Sequence, residues 1–133
     1  MSRRMLSVAL LLLGPELAGR ADDKAAENAR ARLEAARAVY KGIFERRKVD
    51  AREPLDFEKL YLWSRRWMEA EKELAARKAE RAAAAQGHVD RMKGLEELAK
   101  KLHKEGFLSA VELPAAEFYR LEAERWLEKE KAD

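Results

Sequence analysis

Few side chains in this chain could do chemistry, and their spacing decides against most of it. The histidines are His88 and His103. They lie 15 residues apart, about 22 Å along one helix, too far to share a metal. Neither Glu-x-x-His nor His-Glu-x-x-His occurs, so helical-bundle and zinc-hydrolase metal patterns lack their ligands. Both histidines read as solvent-facing, and a protonated His103 suits the C-terminal end of a helix dipole. The chain has no cysteine and no threonine. Beyond the N-terminal segment the serines are Ser64 and Ser109, with no nucleophile elbow or glycine-rich phosphate loop around them. Carboxylates abound, as Glu69, Glu71 and Glu73 and again as Glu122, Glu124 and Glu128. Acid–base catalysis needs a pair whose environments push their pKa values apart. These acids sit among Arg65, Arg66, Lys72, Arg125 and Lys129, which reads as a salt-bridged helix surface. No catalytic, cofactor-binding or metal-binding residue is predicted, and the chain is read as non-enzymatic.

Aromatic residues are the more informative set. Tyr61, Trp63 and Trp67 crowd one segment, Tyr119 and Trp126 another. They either fill thin cores beside helix turns or form a patch that docks a partner. Whatever their role, the elements that carry them must be helices. Of 133 residues 25 are alanine and only six are valine or isoleucine, while Leu, Glu, Lys and Arg make up much of the rest. Strong helix formers dominate and strand formers are nearly absent.

Periodicity places three helices. Ala26, Ala29, Leu33, Ala36, Tyr40 and Ile43 alternate spacings of three and four, a narrow seam on a helix from about Asp23 to Arg47. A break follows over Val49 to Asp56, with Pro54 inside it. Leu60, Trp63, Trp67, Ala70 and Leu74 open a second helix, and Met92, Leu95, Ala99 and Leu102 keep its spacing near Glu105. The stretch Ala75 to Ala85 between them is alanine and charge, followed by Gly87. One glycine costs only ~1 kcal/mol inside a helix, so a continuous middle helix is predicted, with a four-helix bundle broken near Gly87 as the alternative. Gly106 suits the left-handed residue after a helix, and Ser109 with Glu112 reads as a capping box opening the last helix. Pro114 falls at its fifth position, and Val111, Ala115, Phe118, Leu121, Ala123 and Trp126 are its expected core face. Shifting the chain by 59 residues aligns Arg66-Trp67 with Arg125-Trp126 and Leu62 with Leu121, a weak internal repeat. The expected fold is all-α, an elongated short–long–short set of antiparallel, coiled-coil-like helical hairpins.

The N-terminus carries its own signal. Arg3 and Arg4 precede an apolar run from Met5 to Leu13, then the breakers Gly14 and Pro15. That is the build of a secretory signal peptide, and Gly19 and Ala21 fit the small-residue positions before cleavage. Residues 1–21 are read as the signal and 22–133 as the helical domain, exported to the periplasm or secreted. The run is far short of the ~20 residues of a spanning helix, so no transmembrane span is expected in the mature chain. Residues 22–133 hold 25 basic and 24 acidic side chains, alternating in sign along the helices. A nucleic-acid partner is not expected from such a balance.

The turn Glu105-Gly106-Phe107-Leu108-Ser109-Ala110-Val111-Glu112, between helices of unequal length, resembles the periplasmic helical module of the TolC-type outer-membrane efflux family. That family pairs one long helix with two short ones stacked end to end. The resemblance implies a periplasmic location and association with other helices. It does not extend to the pore: the family's β-strands are absent, and Val49 to Asp56 is shorter than a spanning hairpin. The expected role is a helical interaction or structural protein that self-associates or docks a helical partner, with no cofactor. A component or relict of an envelope efflux-type assembly is the alternative, and a periplasmic ligand- or metal-binding bundle a third.

Overall fold

In a computed structural model the chain forms α1 (Ser2–Val49), α2 (Phe57–Leu74), α3 (Lys78–Lys104) and α4 (Glu112–Ala132), with no strand among the described residues. The structure describes residues 2–50, 52 and 54–132, and for residues 2–20 and Val49 the backbone helix alone. The all-α class and the antiparallel hairpin packing agree with the sequence reading. α1 continues through Gly14 and Pro15, which were expected to break it. A proline ring fixes φ near a helical value, but inside a helix it costs one hydrogen bond and a clash with the carbonyl four residues back, together about 3 kcal/mol.

α1 folds back on α2, α2 on α3 and α3 on α4, while α4 also touches α2. The pairings Arg32 to Glu73, Ser64 to His88 and Arg120 to Glu96 each run across a turn, which makes consecutive helices antiparallel. Tyr61 meets Tyr119 and Lys72 meets Glu130, so α2 and α4 run parallel. α2 is thus the central helix, with three neighbours. One stripe, including Trp67 and Ala70, faces α1, and a second, through Leu60, Ser64 and Met68, is buried toward α3 and α4. The predicted α1 seam holds: Ala29, Leu33, Ala36 and Tyr40 are buried. So does the α3 seam of Met92, Leu95, Ala99 and Leu102.

The continuous middle helix does not form, and the alternative break near Gly87 is also displaced. The chain bends at residues 75–77, where Ala75 is extended at φ −75° and ψ 121°. Gly87 lies inside α3. Propensity favoured a straight rod here, but it amounts to a few tenths of a kcal/mol per residue. Folding back buries Leu60 and Met68 together with Val89 and Met92 in one core. Burial of one such side chain is worth roughly 1.5–3 kcal/mol, so the core outweighs the local preference. The Glu80 carboxylate accepts the Ala76 N–H at 3.1 Å, which gives a backbone donor of the bend a partner just ahead of α3.

Of the helix ends read from the sequence, the Gly106 turn forms and the capping box does not. Asp56 caps α2, its side chain accepting the Lys59 N–H at 3.1 Å. Gly106 takes φ 82° after α3. Its N–H donates to the His103 carbonyl at 3.0 Å and Phe107 N–H to the Leu102 carbonyl at 2.8 Å, a complete Schellman closure. The Ser109–Glu112 capping box is not made. Glu112 N–H donates to the Ser109 backbone carbonyl, and Glu112 Oε2 is buried without a partner. α4 starts at Glu112, so Pro114 falls in the first turn, where its missing N–H costs nothing. Gly106→Ala should therefore destabilise the fold by about 1–2 kcal/mol through left-handed strain. Gly94→Ala, whose new Cβ meets nothing within 4 Å in α3, should stabilise it by about 0.5–1 kcal/mol. Paired urea melts of the two variants check both signs.

Candidate functional site

Two places stand out: a buried polar cluster between α2 and α3, and an exposed stripe on α4. The cluster starts from Ser64 and His88, both 0 % exposed. His88 was expected to face solvent, and the fold-back at residues 75–77 puts it inside instead. Its Nδ1 lies 2.8 Å from Ser64 Oγ. Arg91 Nε donates to the same oxygen at 2.6 Å, and Arg91 Nη2 donates to the Ser64 carbonyl at 3.1 Å. With Arg91 donating to the hydroxyl, the serine proton is free to point at His88 Nδ1, which places the ring N–H on Nε2. That Nε2 is buried without a partner.

Rings wall this cluster. Trp126 of α4 stacks on His88 at 5.7 Å, and Tyr61 stands 6.1 Å away. The Arg91 guanidinium lies 4.0 Å over the Trp67 ring, which Tyr40 and Arg37 of α1 also meet. Burial, aided by the nearby Arg91, Arg65 and Lys72, pushes His88 down from 6.5 to about 3. The imidazole is therefore neutral. A serine hydroxyl on an imidazole has the parts of a nucleophilic pair. With neither group exposed, no substrate reaches it in this conformation, and Arg91 holds the oxygen from the other side.

The five aromatic residues proposed as a docking patch do not share one surface. Tyr61 and Tyr119 stack face to face at 4.2 Å, and Tyr61 OH donates to Glu122 at 2.5 Å. Burial, helped by that carboxylate, raises the Tyr61 hydroxyl to about 12. Trp63, Trp67 and Trp126, like both tyrosines, are partly buried against the core, which is the filling role. Arg66 lies over Trp63 and Arg65 over Trp126. His103 is exposed, its Nδ1 3.2 Å from the Leu108 carbonyl. Of the predicted carboxylate ladder, Glu69, Glu73 and Glu128 are exposed and Glu71, Glu122 and Glu124 are half-buried, with Glu73 joined to Arg32 of α1. The acid that sequence reasoning missed is Glu96, buried and joined to Arg120 and Lys100. Burial raises its carboxyl, but the two cations outweigh that and hold it below the usual range.

The expected α4 face holds in part: Ala123 is buried and Trp126 packs on the core, joined by Ala116 and Leu127, whereas Val111, Phe118 and Leu121 are 76, 60 and 50 % exposed. Phe118 lies about 200° around the helix from Ala116, on the opposite side. α4 is therefore apolar on two faces, and only one packs in the chain. Small Ala116 and Ala123 mark the buried side, rather than the large apolar residues.

No group of three or more metal-ligating residues occurs among the described residues. No helix among them is long and apolar enough to cross a membrane. The cleft beside the Pro54 loop sets Arg46, Arg47 and Lys59 against Asp56 and Glu112, a mixed charge rather than an anion site. No family model matches this chain, and neither a curated protein nor a solved structure is significantly similar to it.

Proposed function

We propose that this chain is an exported, non-enzymatic helical module whose work is to bind another helix. The observation that carries the reading is the α4 stripe, Val111, Phe118 and Leu121, exposed on the side away from the core. Large apolar side chains gathered on one face of a surface helix are what an interaction site presents. The buried Ser64–His88–Arg91 cluster supports the same reading, because the titratable groups nearest to chemistry are spent on the core. Export rests on Arg3, Arg4 and the run Met5 to Leu13. The efflux-type alternative is left with the Gly106 turn alone, since the long helix it pairs with two short ones is divided at residues 75–77.

A photo-crosslinking residue placed at Phe118, in the producing cell, should give a discrete protein adduct, and one at exposed Arg77 should not. Equal labelling from both positions, or none from either, would overturn the reading. Export is checked separately by intact mass: the exported chain should begin near Asp22, and a full-length chain retained inside the cell sinks that part.

A further inference from the structure

We infer that two copies of this chain exchange their α3–α4 halves, with α2 and α3 straightening at residues 75–77 into one continuous helix. The fold is two hairpins joined by that bend: α1 lies along α2, and α4 chiefly along α3. Each hairpin has its own ties. Arg32 meets Glu73 and Tyr40 meets Trp67 in the first; Arg120 meets Glu96 and Trp126 stacks on His88 in the second. A separate set joins the hairpins: Ser64 with His88 and Arg91, Tyr61 with Tyr119, and Lys72 with Glu130. Each of those contacts has one partner before the bend and the other after it. A second copy can therefore supply all of them unchanged, which is what makes such an exchange a low-cost route to a dimer.

Local chemistry works against the bend. Its residues are Ala75, Ala76 and Arg77, and Arg77 at the start of α3 makes no side-chain cap. Ala76, Arg77, Lys78 and Ala79 are exposed, so little burial holds the bend where it forms. A straight helix would restore the main-chain hydrogen bonds that two helix ends give up there. The seam also stays in phase across it. Leu60, Ser64, Trp67, Glu71 and Leu74 alternate spacings of four and three, and the same alternation carried past the bend reaches Ala85, His88 and Met92. Two straight helices lying antiparallel about Ala76 keep Ser64 opposite His88 and set Leu60 opposite Met92. Between these pairs Glu71 of one copy falls opposite Arg81 of the other, twice by symmetry, and small Ala75 and Ala76 lie at the crossing. A short connection that must bend to close the single chain invites this exchange. The pairing is independent of whatever meets the α4 stripe.

The experiment refolds the whole chain from urea at millimolar and at micromolar concentration and reads both samples by sedimentation velocity. The concentrated sample should hold a dimer. The chain has no cysteine, so Lys59→Cys with Lys93→Cys takes one spin label on each side of the bend. Doubly labelled chain is mixed with excess unlabelled chain before refolding, and the distance within one chain is read by double electron–electron resonance. The monomer should give a short distance, and the dimer a second one near ~50 Å, the span from residue 59 to residue 93 along one helix at ~1.5 Å per residue. Lys78→Pro suits the bent form, where residue 78 opens α3 after extended Arg77 (φ −124°, ψ 155°), and it breaks the straight one. That variant should keep the circular dichroism of the natural chain and lose the dimer. Glu80→Ala removes the acceptor of the Ala76 N–H and should raise the dimer share severalfold. A dimer that shows only the short distance, or one that survives Lys78→Pro, overturns the inference and leaves the interaction reading standing. So does a chain that stays monomeric in the concentrated sample. If Lys78→Pro does not fold, the label distance decides alone.

Discussion

Ser64→Ala should destabilise the fold by on the order of 2–4 kcal/mol, although it removes a single oxygen. That oxygen is the meeting point of three groups. It accepts from the half-buried Arg91 guanidinium and pairs with His88 Nδ1, where Ser64 and His88 are closed to water. Alanine leaves the imidazole with neither ring nitrogen paired, since Nε2 already has no partner. Arg91 keeps the Ser64 carbonyl and the Trp67 face but loses its Nε acceptor. Orphaning a buried polar group costs about 1–3 kcal/mol, and more when it is charged. The double variant Ser64→Ala/His88→Leu should cost clearly less than the sum of its singles, because leucine needs no partner. Urea denaturation followed by far-UV circular dichroism gives all three values. A Ser64→Ala cost below about 0.5 kcal/mol, typical of a surface site, would mean that the cluster is not the closed network described.

That cluster was more legible than the reading made of it. Stepping the α3 seam of Met92, Leu95, Ala99 and Leu102 back by four residues lands on His88. The spacing alone put His88 on the buried face, and only the polarity of imidazole argued otherwise. Ser64 is the fourth residue from both Leu60 and Met68 and falls in their stripe for the same reason. What the sequence could not supply was the pairing, because it depends on where the chain folds back. Residues 75–77 carry no glycine or proline to mark a turn. The bend is set by what packs on either side of it, a tertiary cause that local propensity does not record. α4 failed differently. Its large apolar residues form a regular seam, and large size was taken for burial. Ala116 and Leu127 pack beside the expected Ala123 instead. α2 and α4 lie side by side with Tyr61 against Tyr119, and Asp56 caps α2 with its side chain.

The fold should lose stability steadily as pH falls below about 6.5, before the carboxylates begin to matter. In the unfolded chain His88 takes up its proton near 6.5, while in the folded chain burial and the facing Arg91, Arg65 and Lys72 hold it down to about 3. Between those values the unfolded state binds one more proton than the folded state, so stability rises with pH. The contribution is complete above 6.5 and is lost as pH drops toward 3. Its slope approaches about 1.4 kcal/mol per pH unit, and the total is on the order of 5 kcal/mol. Glu96 and Glu73 are shifted below 4.5, so their salt bridges weaken only under more acidic conditions. The window from 4.5 to 6.5 therefore isolates histidine. Urea melts across that window should slope in the natural chain and in His103→Gln, and should flatten in His88→Leu. A natural chain whose stability is level from 6.5 to 4.5 would place His88 in water, and the closed Ser64–His88–Arg91 network would be wrong with it.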